Sequence, residues 1–379
     1  MKLIHLSDLH IGKRVCEYSM LEDQKHILLQ IIGIIDAEKP DGVIIAGDVY
    51  DKSVPSAEAV EVFDDFLTLL AKRRVKTFVI SGNHDSPERL SFGSRLMEQS
   101  GIYISKDYNG RVEPIRLTDS HGELFVYLLP FVKPVGVRKY YPEEEIASYT
   151  DGVSVAVKNM ALDKSKRNVL VTHQFITDAR ISESEEITVG GTDNVDAEVF
   201  ADFDYVALGH IHGPQNCGTE RIRYCGTPLK YSFSEVCHKK SVTVVEMEEK
   251  GQLAVRTVEL VPMRDMYEIR GRFEDIMQKS FYGGTPYPES YMRITLTDED
   301  DVPNALGALR TVYPYIMKLG YDNTRTRNSS TVDSAEDIER KSEYELFAEF
   351  YEGQNGQPMS KEQSEFIKAL IEELKEAAE

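Results

Sequence analysis

Residues 76–89 read KTFVISGNHDSPER. KTFVI has the β-branched and aromatic character of a short strand, and Pro87-Glu88 is a credible helix start. A tight turn between them accounts for Gly82 and Asn83 but leaves His84 and Asp85 unexplained. The same layout occurs twice upstream, where KLIHLSD (2–8) and GVIIAGD (42–48) are apolar runs ending in Asp. Between the first two runs, Leu28, Ile31, Ile32 and Ile35 share one helical face. Between the second and third, Val60, Phe63, Leu67 and Leu70 repeat that spacing, after a helix start at Pro55-Ser56. Strands alternating with helices predict parallel βαβ units. In such sheets reactive groups collect beyond the C-terminal ends of the strands.

Further strands are predicted at ELFVYLLP (123–130), NVLVTH (168–173), DYVALGH (204–210) and RIRYCGTP (221–228). A helix is expected over 143–162, opened by Pro142 and three glutamates. KSVTVVEME and QLAVRTVELV form a hairpin around Lys250-Gly251, which closes a first domain at 1–262. MYEIRGRF, SYMRITLT and VPNALGALRTVY predict a small α+β domain over 263–335. The polar stretch 322–343 lacks apolar periodicity and reads as a linker. In the remainder, 336–379, Ser360 and Gln363 form a capping-box pattern. Phe366, Ile367, Leu370, Ile371 and Leu374 then make one apolar stripe, and Leu346, Phe347, Phe350 and Tyr351 another, which predicts a helical hairpin.

The 379 residues carry a net charge of −20, which argues against a simple electrostatic nucleic-acid binder. Any phosphate ligand must be drawn by something other than the overall charge, such as bound metal or a partner subunit. No apolar run reaches the length of a membrane span. MKLIHLSDLH is too short and polar for a secretory signal, and Cys16, Cys217, Cys225 and Cys237 show neither C-x-x-C spacing nor a disulfide framework. The expected location is the cytoplasm, with free, inert thiols.

Five polar clusters fall at or just after predicted strand ends. They are Asp8-Leu-His10, Gly47-Asp48-Val-Tyr-Asp51, Gly82-Asn83-His84-Asp85, Thr172-His173 and Gly209-His210-Ile-His212. Five of the nine histidines sit in them, whereas His5, His26, His121 and His238 have no comparable context. Each cluster alone is weak, because a single strand-terminal His is more often structural. Together they predict a metal site. Imidazole and carboxylate suit Mn, Fe and Zn, and a shared Asp can bridge two cations. With only Asp8 and Asp48 as charged ligands, two divalent cations leave the centre net positive. Such a centre attracts a phosphodiester despite the acidic chain.

In this order, the clusters resemble the calcineurin-like metallophosphoesterase superfamily, whose pattern is D-x-H, G-D-x-x-D, G-N-H-[DE], a lone His, then G-H-x-H. Residues 129–140, 189–215 and 224–235, with the tail 345–360, are similar to the SbcD-type nuclease subunits of that superfamily. The resemblance implies an α/β, two-sheet metallophosphoesterase sandwich flanked by helices, a small α+β capping domain that orients DNA, and the C-terminal helical hairpin. It assigns Asp8, His10 and His212 to one metal, Asp48 to the bridge, and Asn83, His173 and His210 to the second. His84 becomes the catalytic, non-ligand histidine, with Asp85 behind it as an orienting carboxylate. Asp51 is assigned no metal.

The function so implied is a manganese-dependent DNA nuclease acting in DNA repair and recombination. It covers 3′→5′ exonuclease action on double-stranded DNA and endonuclease action on hairpins or blocked ends, by metal-bound hydroxide. The implied assembly is a homodimer bound to an SbcC-type, SMC-like ATPase through the tail. Leu90, Phe92, Leu96 and Met97 belong either to the dimer contact or to the core. Arg138-Lys139-Tyr140-Tyr141 is a solvated turn or a DNA contact. The alternative on the same metal core is a phosphomonoesterase or cyclic-nucleotide phosphodiesterase. A third reading, a metal-stabilised scaffold, has no use for His84.

Overall fold

The computed structural model describes residues 1–177, 179–185, 193–324, 326, 344, 347–348, 351 and 359–376, without the side chains of 362, 365, 369 and 372–376. Along the chain, β1 (Lys2–Leu6) is followed by α1 (Leu21–Glu38), β2 (Gly42–Ala46), α2 (Ala57–Lys72), β3 (Lys76–Ile80) and β4 (Ile102–Ile104). A second series comprises β5 (Ile115–Asp119), β6 (Gly122–Leu129), α3 (Tyr149–Lys158), β7 (Arg167–His173), β8 (Tyr205–Gly209), β9 (Gln215–Cys217) and β10 (Thr219–Tyr224). The hairpin of β11 (Ser241–Met247) and β12 (Leu253–Glu259) then returns to the first sheet.

Two six-stranded sheets result, in the orders β12-β11-β1-β2-β3-β4 and β9-β10-β8-β7-β6-β5. Strands β1 to β4 are parallel, as are β6, β7, β8 and β10, and antiparallel hairpin strands complete the edges. The central strands are buried on both faces, which is why β2 (GVIIA) and β7 (RNVLVTH) read as continuous runs rather than alternating ones. Between the sheets, Leu3, Ile44 and Phe78 pack on Val126, Val169 and Ala207. On the far face of the second sheet, Leu129, Leu170 and Leu208 meet Val153 and Val157 of α3. The sandwich matches the expected fold class.

Two local expectations shift. In α2 the buried stripe is Val62, Phe63, Phe66, Leu67 and Leu70, while Val60 is exposed because it falls one position off that face. The helix expected over 143–162 begins only at Tyr149. Ser148 accepts from the Asp151 N–H while the Asp151 carboxylate accepts from the Ser148 N–H, a capping box that outweighs the glutamates upstream. The helical pattern after residue 86 is split into Pro87–Leu90 and Ser94–Met97 by Gly93, at φ +74°. There Leu90 is buried, whereas Phe92 and Leu96 are 84% and 75% exposed.

Contacts divide the chain into two units, Met1–Met266 and Tyr267–Glu379. From that boundary, β13 (Met266–Gly271), β14 (Tyr291–Leu296) and β15 (Ile316–Tyr321) form a three-stranded sheet over a core of Ile276, Ile294, Leu309 and Tyr313. Most of the polar stretch 322–343, with Leu346 and Phe350 of the first tail stripe, lies outside the described residues. In the last helix, α4 (Lys361–Glu376), both halves of the Ser360/Gln363 capping box are formed, and Phe366 is 67% exposed. Among the described residues no helix is long and apolar enough to cross a membrane.

Candidate metal centre

The parallel order of the two sheets brings the C-terminal ends of β1, β2, β3, β7 and β8 to one place, so residues up to 202 positions apart become neighbours. The chain leaves these strands through left-handed corners. Asp8, His10, Asp48 and His210 have φ of 51°, 43°, 47° and 103°, conformations that non-glycine residues avoid at roughly 1–3 kcal/mol each. Hydrogen bonds hold the corners. Asp8 N–H donates to Gly47 O (3.0 Å) and His10 N–H to Asp48 O (2.9 Å). Glycine permits the close approach, since a Cβ on Gly209 would lie 1.8 Å from Ala46 O, and one on Gly82 would lie 2.1 Å from Asp48 Oδ1.

Seven residues predicted as ligands converge there. Ligand atoms of Asp8, His10 and His212 lie within 4.8 Å of one another, and so do those of Asp8, Asp48 and His173. Nε2 of His10 and Nε2 of His212 are 3.1 Å apart. On the other side, Asn83 Oδ1 is 3.0 Å from His173 Nε2 and 2.9 Å from His210 Nδ1. Asp48 Oδ2 sits between the two groups, 3.3 Å from His173 Nε2 and 3.7 Å from His10 Nε2.

The donor set fits divalent cations. His173 Nδ1 faces Ala46 O at 2.8 Å, so that nitrogen carries the proton and Nε2 of the neutral ring presents a lone pair. The nearest partner of that lone pair is another acceptor, the oxygen of Asn83, and a shared cation resolves the opposition. The electrostatics agree. Burial raises the Asp8 carboxyl to about 6. Burial disfavours a charged His173, yet the carboxylates of Asp48 and Asp8 outweigh it and raise that ring to about 9. Without an ion a second proton therefore sits on Nε2 in the place a cation would take, and the neutral ligating form is the one that goes with bound metal. Burial keeps His10 and His210 neutral, the form that ligates, with His210 lowered to about 3.

His84 borders the same space. Its backbone N–H donates to Asp48 Oδ1 (2.9 Å), its Nδ1 faces Asp51 O (3.1 Å), and its Nε2 is 3.9 Å from Asp48 Oδ2. Asp85 corrects one expectation. Its carboxylate accepts from the N–H groups of Gly82, Val49 and Tyr50 and does not contact the His84 ring. It ties the loop after β3 to the loop after β2, because three inward-pointing N–H groups need an acceptor once buried. The ring-orienting partner is the Asp51 carbonyl, while the Asp51 side chain pairs with Lys13.

Other residues escaped the sequence reading. Gln24, in α1, donates to the carbonyls of Leu9 and His10 and accepts from Gly12 N–H, while the Tyr231 hydroxyl donates to Leu9 O. Together they brace the corner at His10. Gln24 left a signal, being a polar residue on the face shared by Ile27, Leu28 and Ile31. Phe131 lies nearly parallel to the His210 ring, with centroids 6.5 Å apart. Beside His212, Ser184 Oγ lies 2.6 Å from Nδ1, and Glu235 and Lys240 form a fully buried ion pair. Burial disfavours the Glu235 carboxylate, but the Lys240 ammonium outweighs it and holds the acid far below its ordinary range. In the segment 138–141, Arg138 ends a short helix (Pro134–Arg138), and Lys139 and Tyr140 form the exposed turn after it, with Lys139 over the Tyr140 ring.

Residues 1–214 match the family model described as calcineurin-like phosphoesterase, and residues 262–355 match that of the type 5 capsule protein repressor C-terminal domain. The SbcD subunit of the SbcCD nuclease from Staphylococcus epidermidis is 33% identical over 375 residues, spanning 98% of each chain. The protein of the same name from Staphylococcus saprophyticus is 30% identical over 99% of each. Among solved structures, a dimetal phosphatase from Danio rerio covers 69% of this chain and 98% of its own, at 10% identity and a TM-score of 0.39. The family match over the metal cluster and the near full-length likeness to both staphylococcal proteins place this chain in the calcineurin-like phosphoesterase family, among its SbcD-type nucleases.

Proposed function

We propose that this chain is the DNA-cutting subunit of an SbcCD-type complex, hydrolysing phosphodiesters with two manganese ions. The observation that carries the reading is Asp48 Oδ2, set between the His10 group and the His173 group where one carboxylate can serve two cations. Asp8, His10 and His212 would hold the first ion and Asn83, His173 and His210 the second, with Asp48 shared between them. When bound, such ions activate the attacking water and neutralise charge on the phosphoryl oxygens.

The chain's own residues supply the rest. Asp48 keeps its orientation because Oδ1 accepts from His84 N–H. With Nδ1–H committed to the Asp51 carbonyl, only Nε2 of His84 can face a leaving oxygen, and the protonated ring donates from that atom. Asp85 acts at one remove, holding the loops that carry Asp48 and His84. Exposed Phe92 and Leu96 support a homodimer contact, and the exposed apolar residues of α4 support docking to an SMC-like ATPase. Exposed Cys16 and Cys237 are free thiols, in keeping with work in the cytoplasm, and the biological setting is DNA repair and recombination.

The test is cleavage of linear duplex DNA, hairpin DNA and a generic phosphomonoester, with and without the ATPase, in Mn²⁺ and then in EDTA. Mn²⁺-dependent cutting of both DNAs is expected. Hydrolysis of the monoester alone, with the ATPase present, sinks the reading.

A further inference from the structure

We propose that Glu235, acting through the Ser184 hydroxyl, is a positioning residue that fixes the tautomer of His212 and thereby the affinity of the cation site formed with Asp8 and His10. The inference rests on the two-ion reading above.

His212 must present Nε2 as a lone pair to serve as a ligand beside His10, so its proton has to reside on Nδ1. The surroundings of Nδ1 enforce this. Ser184 Oγ lies 2.6 Å away, and the same oxygen contacts Glu235 Oε1 at 2.5 Å. A carboxylate only accepts, so the single Ser184 proton points to Glu235 and the Ser184 oxygen must accept from His212 Nδ1–H. Ser182, the other hydroxyl at hand, directs its own proton to Glu185 Oε2. The order of donation is therefore His212 to Ser184 to Glu235.

The far end of the relay cannot drift. Glu235 is 0% exposed, and its Oε2 is held by Lys240 Nζ. Lys240 Nζ also donates to His212 O (2.9 Å) and to Thr227 Oγ1 (2.6 Å). One ion pair thus grips His212 twice, by its ring through Ser184 and by its backbone through Lys240. Stability gives little reason for such a pair, because well-packed apolar residues in place of a buried ion pair are often neutral or stabilising. Among the described residues, the His173 ring is held by the Ala46 carbonyl rather than by a hydroxyl–carboxylate relay. The relay accordingly acts on one ion only.

Mn²⁺ titration of the full-length protein, followed by electron paramagnetic resonance, tests this. Wild type is expected to bind two ions. Glu235→Gln and Ser184→Ala are each expected to weaken one ion roughly 10–100-fold and leave the other unchanged, the usual effect of removing an outer hydrogen-bond partner. In the metal-free protein, histidine-selective ¹⁵N spectra are expected to show His212 protonated on Nδ1, and to lose that signal in both variants. If Glu235→Gln does not fold, Ser184→Ala, which removes one half-exposed hydroxyl, decides alone. Wild-type affinity for both ions in a folded variant, or equal weakening of both, overturns the proposal. A wild-type protein that binds no Mn²⁺ sinks the two-ion reading instead.

Discussion

Replacing His84 with alanine separates catalysis from metal binding more sharply than any other change in this centre. The imidazole is 15% exposed, so its loss opens no closed cavity. What disappears is the Nδ1 contact with the Asp51 carbonyl and an edge-on contact with His10, whose ring centroid lies 4.9 Å away. What remains is the backbone N–H of residue 84, still donating to Asp48 Oδ1, so the Asp48 carboxylate keeps its orientation. Bound Mn²⁺ is therefore expected to match wild type. Loss of a general acid costs on the order of 10²–10⁴ in rate, or about 3–5 kcal/mol of transition-state stabilisation. Single-turnover cleavage of a hairpin, with metal content measured on the same sample, reads both quantities. A substrate with sulfur at the bridging leaving position sharpens the test, because a thiolate departs without a proton and the defect should then shrink. Because His84 can also be grouped with His10 and Asp48 as a ligand, metal content falling in step with rate would refute the assignment. Equal defects on the oxygen and sulfur substrates would refute proton donation.

Other outcomes follow from the same geometry. Gly209→Ala forces a Cβ against Ala46 O, and denaturant melts should show a loss of about 3 kcal/mol or more. Asp119→Asn removes the carboxylate paired with Arg167, a residue 2% exposed, and should destabilise by about 3 kcal/mol for a broken buried pair. Hydrogen bonds from Arg167 hold Asp119 well below its ordinary 3.8, so its contribution is complete above that value and is lost as pH falls through the folded one. Acid melts of the asparagine variant should lack that step. Stripping metal with EDTA should abolish cleavage and lower the melting temperature, and added Mn²⁺ should restore both, since the ions bind the native centre. Phe92→Asp should convert a dimer to monomers in sedimentation with Mn²⁺ content unchanged. A monomeric wild type would end that argument.

The βαβ order and the five strand-end clusters were legible because both are local: side-chain periodicity reports burial, and ligand chemistry is written in residue type. The hairpin at Lys250-Gly251 and the Ser360 capping box were readable for the same reason. The helix before β7 was placed too early, because three glutamates after a proline imitate a first turn while the decisive Ser148–Asp151 pair is a contact between specific atoms. Asp85 was assigned to the His84 ring by the family resemblance, which names a motif position and not the atoms its carboxylate meets. Its partners at Val49 and Tyr50 lie 36 and 35 residues away. Glu235 and Ser184 were invisible for a related reason, since a buried carboxylate and a surface one look alike until burial is known.

By itself the sequence determined the chemistry available: two carboxylates, an amide and four imidazoles as candidate ligands, each at a strand end, and one further histidine. Tertiary structure decided their arrangement. Parallel strand order set which ends are neighbours, left-handed corners at Asp8, His10, Asp48 and His210 aimed the candidate ligand atoms, Gly209 let the two sheets close on Ala46, and Gly82 let the loop after β3 close on Asp48. The physical reason is that ligation depends on distances of a few ångströms between residues as many as 202 positions apart, and only the folded backbone fixes those.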